Sequence, residues 1–172
     1  MGFGCRSDGH NNHRLKSVVK KLKMKHPISL NKHVYHELYY HLIWTTKDRQ
    51  DLITNDIELL LYRMIREETK KLWVQLISIG GIENHIHLLI RCAPNHFIPD
   101  IVKQLKGSSS HFINHELKPG FHFNWQRGYG ILSVSVWNLQ KIIEYIVNQK
   151  IHHQTGKILK VLERINFLNQ EY

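Results

Sequence analysis

Two runs rich in β-forming residues, WVQLISIGGIE (73–83) and NHIHLLIRCA (84–93), follow one another with no room for a helix between them. Strands this close pair as an antiparallel hairpin, because a parallel pair needs a crossover of a dozen or more residues. A segment of helical period lies on each side. Before the hairpin, DIELLLYRMIREETKKL puts Ile57, Leu60, Leu61, Met64 and Ile65 on one side, and Thr54 or Asn55 can cap its start. After it, FIPDIVKQLKGSSSHFINHEL (97–117) is opened by Pro99 and weakened in its middle by Gly107 and three serines. Outer strands are expected at 37–46 and 131–135, around a Gly- and aromatic-rich loop at 120–130. A second strongly periodic helix spans 135–153, and Gly156 to Tyr172 reads as a short terminal helix. The order β-α-β-β-α-β-α predicts an α+β fold, a ferredoxin-like split β-α-β with an antiparallel sheet and helices on one face. The other face is then free to host a site. The Gly80–Gly81 pair predicts a bulge or bend in the second strand.

Charge divides the chain further. Of the formal net charge of +10, +7 lies in residues 1–34, where Arg6, Arg14, Lys16, Lys20, Lys21, Lys23, Lys25 and Lys32 face Asp8 alone. The expected organisation is a basic, flexible arm over 1–34, one domain over 35–155 and a helical tail over 156–172. Such an arm suits a polyanion, and nucleic acid is the default partner; a solvated tail that aids solubility is the plain alternative. No apolar run approaches the roughly 18 residues of a membrane span. The start, MGFGCRSDGHNNHRLK, lacks the apolar stretch of a secretory signal, so a cytoplasmic protein with no membrane partner is expected. Cys5 and Cys92 form neither a CxxC pair nor a disulfide framework.

Chemistry concentrates in ENHIHLLI (83–90). His85 and His87 stand at i and i+2 of a strand, so both imidazoles project from one face. They are either partly buried histidines bonded to backbone or two ligands of a shared cation, which relieves the conflict of protonating both. A third ligand must come from elsewhere. On the 135–153 helix, Lys141, Tyr145 and Gln149 fall at i, i+4 and i+8 beside the stripe of Leu139, Ile142, Ile143, Ile146 and Val147. Gln149 can complete a two-imidazole, one-oxygen set with waters filling the rest, which suits Mg²⁺ or Mn²⁺ better than a structural Zn²⁺ shell. A solvated polar face with Tyr145 half packed is the alternative.

Five segments together resemble the HUH-type single-tyrosine transposases, the class that includes the IS200-like and REP-associated tyrosine transposases. They are YHLIWTTKDR (40–49), ENHIHLLI (83–90), LKGSSS (105–110), WQRGYGILSVS (125–135) and YIVNQKIHH (145–153), in family order and at family-like spacing. The likeness runs from about Tyr39 to His153 and leaves out the basic arm. It implies that Tyr145 is the nucleophile, and that His85, His87 and Gln149 hold one divalent metal ion, Mg²⁺ or Mn²⁺. It implies DNA transposition by cleavage and rejoining of single-stranded DNA through a 5′-phosphotyrosine intermediate. A phenol of ordinary pKa about 10 is a poor nucleophile near neutrality, and a cation that neutralises developing charge improves it by several kcal/mol. The resemblance also implies a homodimer, with DNA that carries a hairpin as partner, in a nucleoid-associated enzyme.

Other residues fit DNA handling. Lys47 and Arg49 close the first strand, and Lys103 and Lys106 with Ser108, Ser109 and Ser110 offer phosphate donors on one helix. Lys141, one turn before Tyr145, is placed to hold a phosphate. His122, Trp125, Arg127 and Tyr129 can stack on unpaired bases, or pack as an ordinary aromatic loop. His152 and His153 are rival ligands, with surface or DNA contact the preferred reading. Two other functions stay open: an HUH nickase domesticated for processing repeated palindromic DNA, and a non-catalytic basic DNA-binding domain with a structural histidine pair.

Overall fold

The computed structural model describes residues 34–165. The basic arm, Val34 apart, and the last seven residues of the expected terminal helix lie outside them. Four strands form one antiparallel sheet: β1 (Leu38–Thr45), β2 (Gln75–Ile82), β3 (His85–Cys92) and β4 (Gly130–Val134). Their order is β2-β3-β1-β4, so the β2–β3 hairpin is extended by β1, and β1 by β4. This is the ferredoxin-like sheet that the order of elements predicts.

Alternation along the central strands builds the main core. Leu42 and Trp44 of β1 and Ile86, Leu88 and Ile90 of β3 are fully buried on one face. Against them lie α1 (Asn55–Lys71) and α2 (Ile98–Phe112), which contribute Ile57, Leu61, Ile65, Ile101, Val102 and Leu105. Thr54 sits at the N-cap of α1 without a side-chain bond, and the first turn is acidic, with Asp56 and Glu58 favourable to the helix dipole. Pro99 stands in the first turn of α2, as expected. That helix closes in a π-turn, Ile113–Leu117, and stops at Lys118 in the left-handed region, φ 47°. No helix among the described residues is long and apolar enough to cross a membrane.

The 120–130 loop is fastened to this core. Phe123 is fully buried, and the Trp125 ring meets Phe123 and Trp44 edge-on, at 4.7 and 6.0 Å between centroids. Trp125 Nε1 donates to Ser109 Oγ at 2.8 Å, and Asn114 bonds both backbone groups of Phe123.

The opposite face is covered where an open face was expected. α3 (Leu139–Val147) crosses it and buries Leu139, Ile142, Tyr145 and Ile146 against Tyr39, Leu89 and Val134. Gly80 permits this approach, because a Cβ there would stand 2.1 Å from the Ile146 carbonyl oxygen. The bulge of β2 falls between Leu76 and Ser78, and the Gly80–Gly81 pair keeps regular register with His87 and Ile86. The glycines answer to helix packing and backbone closeness, and no bend is needed to explain them.

The single helix expected over 135–153 is two. A 3-10 turn, Val136–Asn138, leads into α3, which ends at Asn148 (φ −98°, ψ 20°) before α4 (Gln149–Thr155). Gly156, at φ 69°, ends α4 in a left-handed cap. The terminal helix expected from Gly156 is not formed over 156–165, where the one helical element is the 3-10 turn Lys160–Glu163.

Candidate active site

β1 and β3 place three histidines side by side on the covered face. His85 and His87 point the same way from β3, and His41 of β1 lies alongside, all three essentially inaccessible to solvent. The His41 and His87 rings stack at 5.0 Å, with His41 Nε2 2.8 Å from His87 Nδ1. His85 Nδ1 lies 2.9 Å from Asn84 Oδ1, and Asn84 Nδ2 donates to Asp51, which fixes the amide the right way round. Each histidine of the pair therefore has its Nδ1 engaged and turns Nε2 toward a common point.

Helix α3 brings Tyr145 to that point and α4 brings Gln149. Gln149 Oε1 is 3.3 Å from His85 Nε2, and the Tyr145 and His87 rings meet edge-on at 5.9 Å. His152 stacks on Tyr145 at 4.9 Å, and His153 tilts against His85 at 4.9 Å. Both sit half-buried beside the site, where surface positions were preferred.

The remaining member comes from the segment after α4. Glu163 reaches in with Oε2 3.3 Å from His85 Nε2 and Oε1 3.3 Å from His87 Nε2. Tyr145 donates its hydroxyl hydrogen to Glu163 Oε1 at 2.5 Å, and the Leu159 N–H donates back to the phenol oxygen at 3.3 Å. Sequence reasoning missed both Glu163 and His41. His41 carried a signal, a histidine in phase with Tyr39 and Ile43 on an otherwise apolar strand; Glu163 carried none, standing in a tail without clear period.

Electrostatics follow from burial. Desolvation, with His87 beside each, pushes His85 down to about 4 and His41 to about 3, so both are neutral near pH 7. Burial, then the bond to Glu163 and its charge, raise the Tyr145 phenol to about 12. Burial works to raise the Glu163 carboxyl, but contact with His87, Tyr145 and His85 outweighs it and holds the group at about 2.

The donor set fits a divalent cation. His85, His87 and Glu163 offer ligand atoms all within 4.8 Å of one another. His87 Nε2 is buried without a hydrogen-bond partner, since its approach to Glu163 lacks bonding geometry. Two imidazoles with carboxylate or amide oxygen suit an ion that accepts nitrogen and oxygen together.

The other candidate residues fall into two groups. Lys47, Arg49, Lys103, Arg127 and Lys141 are exposed. Lys106, Ser108, Ser109 and Trp125 are engaged within the fold. Lys106 Nζ donates to the Gln126 and Gly128 carbonyls at 2.6 and 2.8 Å, and burial lowers its pKa to about 8. Ser108 and Ser109 bond back to carbonyls one turn earlier in α2. Asp48 and Arg49 are both held at positive φ, 53° and 54°, an arrangement that non-glycine residues rarely adopt. Arg49 and Arg164 line a cleft of about 490 Å³ whose wall includes Thr45, Gln126 and Glu163.

This four-stranded sheet with helices on its two faces is shared with solved transposase structures. A structure of the REP-associated tyrosine transposase bound to a REP hairpin shares that fold, with TM-score 0.55 at 10% identity over 76% of each chain. A candidate transposase from Deinococcus radiodurans, solved by crystallography, has TM-score 0.56 at 31% identity, covering 70% of this chain and 97% of that one. The ISDra2 transposase TnpA of Deinococcus radiodurans is 32% identical over 131 residues, 72% of this chain and 93% of that protein. The profile of the IS200-like transposases matches residues 34–149, and the chain belongs to that family.

Proposed function

We propose that this transposase cleaves and rejoins single-stranded DNA by transesterification through Tyr145. The phenol oxygen attacks the phosphorus, and the new O–P bond forms as the bond to the 3′ oxygen breaks. The phenol gives up its proton and the leaving 3′ oxygen gains one. The products are a 5′-phosphotyrosyl link and a free 3′-OH. Because the link keeps the energy of the phosphodiester, rejoining to another 3′ end needs no ATP.

One observation carries the reading: the Tyr145 hydroxyl shares a single carboxylate with both members of the histidine pair. A tyrosine buried for packing alone has no need of that company. His85, His87 and Gln149 would hold Mg²⁺ or Mn²⁺, which supplies Lewis-acid polarisation of the phosphodiester. The residues of the chain do the rest. Asn84 and His41 orient the two imidazoles. The strained turn at Asp48 and Arg49 keeps a guanidinium at the mouth of the cleft, beside Arg164, where a phosphate can enter. Lys47, Lys103, Arg127 and Lys141 extend the positive surface for the strand, in keeping with action at the nucleoid. Two copies complete the enzyme in this reading, since β4 is an edge strand and Trp137, 93% exposed, follows it.

The test is incubation of a 3′-labelled single-stranded hairpin library with the full chain, with Mn²⁺ or with EDTA. The expected result is a detergent-resistant protein–DNA adduct that requires metal and disappears in Tyr145→Phe, while DNA binding persists. Cleavage that survives in Tyr145→Phe would sink the mechanism and point to activated water.

A further inference from the structure

The family match ends at Gln149, and Glu163 lies 14 residues further along the chain. We propose that Glu163 is a further protein ligand, beside Gln149, of the cation held by His85 and His87, delivered by the 157–165 segment, and that the same carboxylate positions the Tyr145 phenol beside that ion. The inference rests on the reading of the histidine pair as a cation site.

Spacing is the first argument. Donors at neighbouring positions around one octahedral ion, each about 2.1 Å from it, stand about 3.0 Å apart. Glu163 Oε2 to His85 Nε2 and Glu163 Oε1 to His87 Nε2 are each 3.3 Å. The second argument is polarity. Asn84 accepts from His85 Nδ1, so Nε2 of the neutral ring carries a lone pair. That lone pair faces two further acceptors, Gln149 Oε1 at 3.3 Å and Glu163 Oε2. Gln149 Nε2 and the Tyr145 hydroxyl donate to Glu163 Oε1, but neither Gln149 Oε1 nor Glu163 Oε2 brings a hydrogen toward Nε2, and a cation resolves that conflict. His87 Nε2, buried and without a hydrogen-bond partner, faces the same point.

The third argument is that the segment is built to dock. Leu162 is buried with Tyr145 and Ile146 in the small core of this face. Gly130 of β4 lacks a side chain where the Arg164 carbonyl crosses it; a Cβ would stand 2.0 Å from that oxygen. Among the described residues, the basic side chains within 4 Å of the Glu163 carboxylate are the histidines His85, His87 and His153. A carboxylate so placed, with no lysine or arginine against it, matches a cation between it and the imidazoles.

The experiment is Mn²⁺ binding to the full chain without DNA, followed by calorimetry and by the Mn²⁺ paramagnetic resonance spectrum. Wild type is compared with Glu163→Gln, Glu163→Asp, His85→Ala and the exposed-site control Glu67→Gln. The expected result is a loss of about tenfold or more in affinity for Glu163→Gln with an altered spectrum, partial recovery in Glu163→Asp, and no change in Glu67→Gln. If Glu163→Gln binds Mn²⁺ as wild type does while His85→Ala does not, the inference falls and the segment is only a cover. If neither variant weakens binding, the cation site itself falls. Should Glu163→Gln melt lower than wild type without metal, Glu163→Asp is read in its place.

Discussion

Leu42, Trp44, Ile86, Leu88 and Ile90 point to one face of the sheet, while His41, His85 and His87, their neighbours in the chain, point to the other. The first face is accounted for by burial alone: each side chain removes apolar surface from water, at about 25 cal/mol per Å². The second is accounted for badly by burial. Three imidazoles without solvent, two orphaned ring nitrogens (His41 Nδ1 and His87 Nε2) and a sunken carboxylate oppose folding unless something holds them. Strands that bury apolar side chains on one side, where Trp44 Nε1 is the unpaired polar atom, and gather buried polar groups on the other mark where function resides.

Substitutions separate the faces. Leu88→Ala, on the apolar side, should lower unfolding free energy by about 2–5 kcal/mol in urea titration and leave Mn²⁺ affinity of the folded protein unchanged. A loss of metal binding at folded conditions would show that the faces are not independent. Gly80→Ala acts on the other side, where the new methyl meets the Ile146 carbonyl. It should destabilise by about 1–3 kcal/mol and also reduce adduct yield, by displacing α3 and Tyr145.

Acid sharpens the contrast. The folded pKa values of His41 and His85 lie below the ordinary histidine value, so the unfolded chain takes up protons that the folded one does not as pH falls from about 6.5 toward 4. The metal-free protein should lose on the order of 1–2 kcal/mol per histidine between pH 6.5 and 5, read from urea midpoints. Glu163, held at about 2, adds loss in the same direction as pH falls below the carboxylate range. His41→Phe should flatten that slope. The smallest effect belongs to the helix side: Gly107→Ala, with nothing within 4 Å of the new methyl, should raise stability by about 0.5–1 kcal/mol in thermal melts.

The same contrast explains what the chain reveals in advance. Alternation and helical period are local properties, so the strands, α1, α2 and the shared face of His85 and His87 are legible from the residues. That Tyr145 and Gln149 share a side is legible too, since they are one turn apart, although the break at Asn148 between α3 and α4 is not. Position in an unpatterned segment is not local. Glu163 gives no periodic signal, because its place is fixed by Leu162 and by the absent side chain of Gly130, far away in sequence. The polar appearance of LKGSSS misled for a related reason. Its serines and Lys106 look like phosphate donors, yet most of their hydrogen bonds are made to the backbone of their own helix and of the aromatic loop.

The members of the site are far apart along the chain. His41 and His87 are 46 residues apart, and His85 and Gln149 are 64. β1 must pair with β3 before His41 meets His87, and α3 and α4 must then close over them, so assembly waits on long-range contacts of the fold. A polypeptide stopped before α3 on its way through synthesis holds no cluster of imidazoles, phenol and carboxylate. Under the proposed chemistry, unfinished copies are therefore harmless to the single strands around them.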